Sequence, residues 1–262
     1  MLEQEFFRNA LLAGLFASVA CGVMGSIVVS RRLASICGGI AHACFGGVGL
    51  GYLLHFNPSW GALLFAILSG LGIGTVSRRT RQAEDTSVAI FWAVGMSLGI
   101  IFIGLSKGYA PDLLTYLFGN ILAVTRLDLL SLLVLDAVVI ASLLLFYKEI
   151  LALCFDEEFL EVRGVPVFPL YLFLLVLAAL TVVVLMKVVG IILVIALLTL
   201  PAAIVAPFVK TLKGMMAAAT LASLALILAG LVLSYLLDLP SGATVVLLAA
   251  AVYLLSRLFR RR

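Results

Sequence analysis

Nine apolar runs of membrane length, set apart by charged residues or by Pro, Gly and Asn breaks, constrain this chain more than any other feature. They lie near 9–30, 33–56, 59–77, 87–106, 128–147, 167–187, 190–209, 214–236 and 241–258. A run of about 20 residues at about 1.5 Å each crosses a hydrocarbon core of about 30 Å, and only helices and closed barrels satisfy every backbone group in lipid. The expected fold class is an all-α polytopic membrane protein with about nine transmembrane helices, eight being the alternative count. With 65% of residues hydrophobic and 11% charged, an aqueous surface could not be covered, which excludes a soluble globule. No long polar tail or linker interrupts the pattern, and residues 1–262 read as a single integral membrane domain.

The basic residues set an orientation. Placing the N-terminus outside leaves Arg8, Lys107, Arg126 and Lys187 on that face and the other thirteen of the 17 Lys and Arg on the cytoplasmic face. That is the asymmetry of the positive-inside rule, and it puts the C-terminus in the cytoplasm of a multi-pass cell-membrane protein. Because these charges sit at membrane boundaries, the net charge of +4 points to a lipid bilayer and not to nucleic acid. Cys21, Cys37, Cys44 and Cys154 fall in apolar spans or beside a cytoplasmic loop, which argues against a disulfide framework.

The second span, LASICGGIAHACFGGVGLGYLLHF, is apolar yet built from very small side chains. Gly39, Ala43, Gly47 and Gly51 recur every four residues, as do Gly38, His42 and Gly46, so two adjacent ridges of one helix are nearly bare backbone. Such a helix packs inside a bundle or beside a central axis. His42 lies roughly 15 Å along the helix axis from Arg32, near mid-membrane. It is either a neutral imidazole satisfied by a neighbouring hydroxyl or carbonyl, or an ion or substrate ligand on a pathway. His55, about 20 Å further along by helix rise, reads as a surface histidine at the outer mouth. Cys37 and Cys44 share a face from which His42 is rotated, so the three form no chelate within one helix.

Asp136 is the other conspicuous polar group inside a span. In hydrocarbon it must be protonated, paired or turned to a wet cavity, as a metal or proton ligand or as a structural carboxylate bonded to a neighbouring helix. Residues 110–126, about twelve of them apolar and broken by Gly119-Asn120, are too short to cross and are expected as a re-entrant outer segment. The longest cytoplasmic loop, 148–166, pairs Ile150, Leu151, Leu153, Phe155, Phe159 and Leu160 with an acidic face of Asp156, Glu157, Glu158 and Glu161, and stops at Gly164-Val165-Pro166. It reads as a short amphipathic helix, either solvated or docked in the groove of a cytoplasmic partner. In the seventh span Pro201 and Pro207 each remove a helix hydrogen bond, so a kink is expected where Thr199 and freed carbonyls face a cavity, for gating or for packing. The chain contains no GxxxxGKS or GxxxxGKT, no HExxH and no GxSxG, so it is not expected to be an enzyme.

Taken in order, these stretches resemble the integral membrane permease of zinc/manganese/iron-type ABC transporters. The resemblance is carried by Gly38-Gly39-Ile40-Ala41-His42-Ala43 with Gly46-Gly47, by Leu117-Phe118-Gly119-Asn120-Ile121-Leu122, and by Phe155-Asp156-Glu157-Glu158-Phe159 with Gly164. It continues through Val189-Gly190 with LLTLPAA at 197–203, and Asp238-Leu239-Pro240-Ser241-Gly242, so it covers nearly the whole chain. It implies a homodimer around a central pathway, two cytoplasmic ABC ATPase subunits that hydrolyse the ATP, and an extracytoplasmic metal-binding protein. The divalent ion, zinc, manganese or iron, is then cargo and not a permanently bound cofactor. Asp156, Glu157, Glu158, Phe159 and Gly164 would belong to a coupling helix seated in a groove of the ATPase. Within that frame His42 and Asp136 are the candidate metal ligands, and Gly39, Gly47, Gly51 and Pro201 the packing and gating positions.

Two positions depart from the family pattern. Many members carry an aspartate four residues before the histidine; here that position is Gly38, which leaves the partner of His42 open between Asp136, a cysteine and the copy of His42 across a dimer axis. The usual alanine of the coupling segment is Leu160, which changes packing in the groove. Sparse imidazole and carboxylate ligands suit transit, because an ion must bind well enough to enter and weakly enough to leave. They favour zinc, iron or manganese over calcium and magnesium. The expected mechanism is alternating access, with ATP-driven closure moving the 148–166 loop and rotating the helices that bear His42 and Pro201. The rivals are an ATPase-independent secondary metal transporter, which needs no docking loop, and a permease for an iron chelate or vitamin, which would carry a larger pocket.

Overall fold

The structure, a computed structural model, describes residues 5–80, 83–106, 119 and 121–260. Its apolar runs become helices because the intrahelical ladder satisfies each N–H and C=O where no water can. They are α1 (Glu5–Ser30), α2 (Ala34–Leu53), α3 (Pro58–Thr80), α4 (Glu84–Leu105), α5 (Arg126–Phe155), α6 (Glu157–Val162), α7 (Val167–Val189), α8 (Ile191–Val205), α9 (Leu212–Leu237) and α10 (Ser241–Arg260). Among the described residues nine helices are long and apolar enough to cross a membrane, α6 being too short, and there is no strand. Arg32, His55 and Asp238, with φ of 59°, 57° and 53°, turn the chain after α1, α2 and α9.

Three expectations are modified. Residues 148–155 are not loop but the continuation of α5, which runs on to Phe155 past a non-helical Phe146 (φ −117°, ψ 25°). Their apolar side is covered by the protein itself, with Ile150 and Leu153 fully buried, so only 157–162 stands as a separate short helix. Pro207 does not kink the seventh span; it lies in the 3-10 turn Ala206–Phe208 that closes α8, at a position where a missing N–H costs little. Pro201 is the proline inside α8, and the Thr199 hydroxyl donates back to the Ile195 carbonyl at 2.8 Å, so it is satisfied by its own helix. Residues 107–118 and 120, the body of the expected re-entrant segment, lie outside the described residues. Gly119 itself takes φ 64°, and a Cβ there would lie 2.6 Å from the Val189 carbonyl oxygen.

The chain divides into two compact units. One holds α1, α5 up to Phe146, the end of α7, and α8 to α10. In it α1 packs on α8 and α9: the backbone at Gly22 meets Thr220, and a Cβ on Gly25 would lie 2.5 Å from the Leu198 carbonyl oxygen. The other holds α2, α3, α4 and residues 147–183. Here α2 packs on both α3 and α4, and the glycine ridges are where it does so. A Cβ on Gly47 would fall on the Gly61 carbonyl, one on Gly49 would lie 2.6 Å from Gly99 O, and one on Gly95 2.5 Å from Ala43 Cα. Gly39 and Gly51 sit equally close to Val88 Cγ1 and Pro58 Cα, at 2.6 Å each.

Since α2 and α3 touch through backbone, Gly47→Leu forces two main chains apart and should cost more than the about 1–3 kcal/mol of ordinary overpacking. Thermal unfolding of the purified protein in detergent reads this directly. Gly104→Leu, at a glycine with open space around it, should leave the unfolding temperature unchanged.

Candidate functional site

Glycine packing brings an aromatic of α4 onto His42. The imidazole, half-buried in the middle of α2, lies flat on the Trp92 indole, with ring centroids 4.2 Å apart and planes within 4°. Gly95, one turn beyond Trp92 and seated on Ala43, sets that close approach. Trp92 is held in turn by its own helix, Nε1 donating to Met96 Sδ at 2.9 Å. Among the described residues no hydroxyl or carbonyl hydrogen-bonds the imidazole, so stacking on Trp92 is what orients it. Sequence reasoning missed Trp92. The signal was its depth, roughly 12 Å into α4 by helix rise, whereas tryptophans of membrane helices favour the two interfaces.

Asp136 belongs to the other unit, on the first part of α5. It is buried, and its Oδ1 has no partner among the described residues. Cys37 and Cys44 are buried small hydrophobes, Cys44 Sγ donating to the Ile40 carbonyl at 3.0 Å, and His55 is exposed at the turn after α2. Among the described residues no three His, Cys, Asp or Glu side chains gather into a metal-binding group. Asp128, which the sequence did not single out, caps α5 by accepting from Thr125 N at 3.0 Å and Thr125 Oγ1 at 2.6 Å. It also pairs with Lys187 at 2.6 Å, joining the start of α5 to the end of α7.

The acidic segment is shaped by its caps. Asp156 is the N-cap of α6, its carboxylate accepting from Phe159 N at 3.0 Å. At the other end Gly164 takes φ 73°, with Gly164 N donating to Glu161 O at 3.0 Å and Val165 N to Leu160 O at 3.1 Å, the paired bonds of a Schellman stop. Glu158, Phe159, Glu161 and Val162 are exposed, while Leu160 is buried. Leu160 therefore packs into its own protein and does not enter a partner's groove. Glu157 also turns inward and pairs with Arg78 from the end of α3. Arg78 in turn lies 4.7 Å from the centre of the Tyr171 ring of α7.

The family model described as the ABC 3 transport family matches residues 3–260. An uncharacterized membrane protein of Synechocystis sp. is 47% identical over 260 residues, 99% of this chain and 92% of that protein. The manganese transport system membrane protein MntC of Listeria monocytogenes is 35% identical over 259 residues, again 99% of this chain and 92% of that one. Among solved structures, PsaBC from Streptococcus pneumoniae in complex with Fab matches with a TM-score of 0.86 and 30% identity, covering 97% of this chain and 92% of that chain.

Two outcomes follow from the geometry. In a Trp60→Phe background, which leaves Trp92 as the sole tryptophan, His42→Ala should raise the emission intensity by removing a stacked quencher, as read by steady-state fluorescence. Gly164→Ala places a Cβ in a left-handed conformation at about 1–2 kcal/mol, and should speed amide hydrogen exchange across residues 157–165 while leaving α2 unaffected.

Proposed function

Because this chain belongs to the ABC 3 transport family and is the membrane permease of a metal ABC transporter, we propose that it imports divalent transition metal ions, manganese first, with zinc and iron as competing cargoes. Manganese is placed first because the Listeria monocytogenes relative carries that ion in its name. The observation that carries the proposal for the pathway is His42, an imidazole in mid-span held by stacking between glycine ridges. A ligand so placed binds a metal in transit without caging it, because one or two donors hold it weakly enough for release. Asp136, a buried carboxylate inside a span of the other unit, is a further candidate ligand, assigned on its own burial and not as part of one site with His42. Gly39, Gly47 and Gly51 keep α2 in register with its neighbours, and Pro201 supplies α8 with a missing hydrogen bond at which it can bend.

The permease works as a homodimer with two ATPase subunits on the cytoplasmic side and an extracytoplasmic binding protein on the other. On this reading its N-terminus is outside and its C-terminus cytoplasmic, which the distribution of Lys and Arg supports. On that orientation α6 faces the cytoplasm. Its exposed Glu158, Phe159, Glu161 and Val162 make the surface that enters the ATPase, with Asp156 and Gly164 fixing the ends of the helix. An apolar residue flanked by carboxylates at the tip of a membrane protein is what a groove in a soluble partner recognises. Closure of the ATPase pair then pushes on α6 and drives alternating access.

Uptake of radiolabelled manganese, zinc and iron into proteoliposomes containing the permease, its ATPase and its binding protein tests this. ATP-dependent uptake should fall at least tenfold in His42→Ala, since loss of even an outer-shell partner of a metal ligand costs about 10–100-fold. Phe159→Asp should abolish co-purification of the ATPase. Uptake without the ATPase would turn the reading to a secondary transporter, and full uptake by His42→Ala would move the ligand elsewhere.

A further inference from the structure

Along one stripe of α3, Gly70, Gly74 and Arg78 succeed one another at four-residue intervals. A Cβ at Gly74 would lie 2.6 Å from Leu175 Cδ1 and one at Gly70 3.4 Å from the Leu175 carbonyl oxygen, so α3 runs close against α7. One turn later the stripe ends in a guanidinium. Arg78 lays its planar cation 4.7 Å from the centre of the Tyr171 ring and gives Nη2 to Glu157 Oε1 at the start of α6. Tyr171 is 1% exposed, and its hydroxyl donates to Glu84 Oε1 at 3.2 Å, at the start of α4. The contacts Glu157–Arg78, Arg78–Tyr171 and Tyr171–Glu84 thus link α6, α3, α7 and α4 in a chain. Arginine suits this junction because its flat face stacks on an aromatic while its fork bonds a carboxylate; a lysine would supply the charge without the plane.

The helix whose last turn carries Arg78 is fused to the site. At Gly47 and Gly61, and again at Gly95 and Ala43, the contacts among α2, α3 and α4 are backbone contacts with no side chain to yield. A displacement applied at one end of that trio moves it as a body, and Trp92 and His42 travel with it. Glu157 is half-buried against Arg78, unlike the exposed Glu158 beside it.

We infer that Arg78, through Glu157, is the positioning residue that transmits movement of α6 to the helices carrying His42. This rests on the reading of α6 as the ATPase-docking helix. Without the pair, α6 still docks, but its motion dissipates at the capped junctions on either side, Asp156 and Gly164.

The test uses the full permease with its ATPase and binding protein in proteoliposomes, as wild type, Arg78→Ala, Glu157→Gln, the double variant and Arg78→Lys. Three quantities are measured: ATPase co-purification, ATP hydrolysis, and radiolabelled manganese taken up per ATP hydrolysed. Arg78→Ala and Glu157→Gln should keep the first two and lose roughly tenfold in the third, within the usual range of coupling between sites. The double variant should be no worse than either single one, and Arg78→Lys should recover part of the loss. The isosteric Glu157→Gln tests the pair even where Arg78→Ala folds poorly. Loss of ATPase co-purification in Glu157→Gln would overturn the inference by making that carboxylate an ATPase contact, and so would unchanged uptake per ATP. A wild-type complex that showed no ATP-driven uptake would instead overturn the proposed function.

Discussion

Close approach of backbones across α2 is the constraint on which the rest of its unit depends. In hydrocarbon no hydrophobic force drives one helix onto another, since a lipid tail is as good a neighbour as a leucine. What remains is contact area, and contact area between main chains requires that side chains be absent. Gly47 against Gly61 and Gly49 against Gly99 supply it on two sides of one helix. The same constraint explains why an imidazole can lie flat on an indole here: Gly95 on Ala43 brings α4 close enough for Trp92 to cover His42.

Polar groups are few, and the described ones show how a membrane protein places them. Asp128 and Lys187 neutralise one another at the ends of α5 and α7, with Thr125 closing the remaining bonds. Thr181, Thr199 and Thr220 return their hydroxyls to carbonyls of their own helices, which satisfies a donor without asking anything of a neighbour. Against that background His42 and the Oδ1 of Asp136 stand out, since neither has a hydrogen-bond partner among the described residues. In an apolar medium such groups are costly to keep.

The short α6 of the second unit is held together differently from the spans. The six-residue α6 is defined by its caps and not by its apolar face: a carboxylate on the Phe159 N–H and a glycine in the left-handed region at its stop. So short a helix has little stability of its own. Its position comes from Leu160 buried beneath it and from Glu157 held by Arg78, while Glu158, Phe159, Glu161 and Val162 stay exposed.

The spans, the period of the glycine ridges and the Gly164 stop of α6 were legible in the sequence, because hydrocarbon thickness, helical repeat and the chemistry of a helix end act over a few neighbouring residues; Asp156, read as part of an acidic face, proved to be the N-cap. The whole-chain resemblance to a metal permease was legible for the same reason, being carried by short local patterns in order. Tertiary structure alone decided which helix each ridge meets, that Trp92 lies on His42, that Glu157 and Leu160 turn inward while Glu158 and Phe159 do not, and that α5 runs on to Phe155. On a helix surrounded by lipid every face is apolar, so hydrophobicity no longer marks the face that a neighbour will cover. That choice is made by the fit of small surfaces between segments far apart in the chain, which no local pattern records.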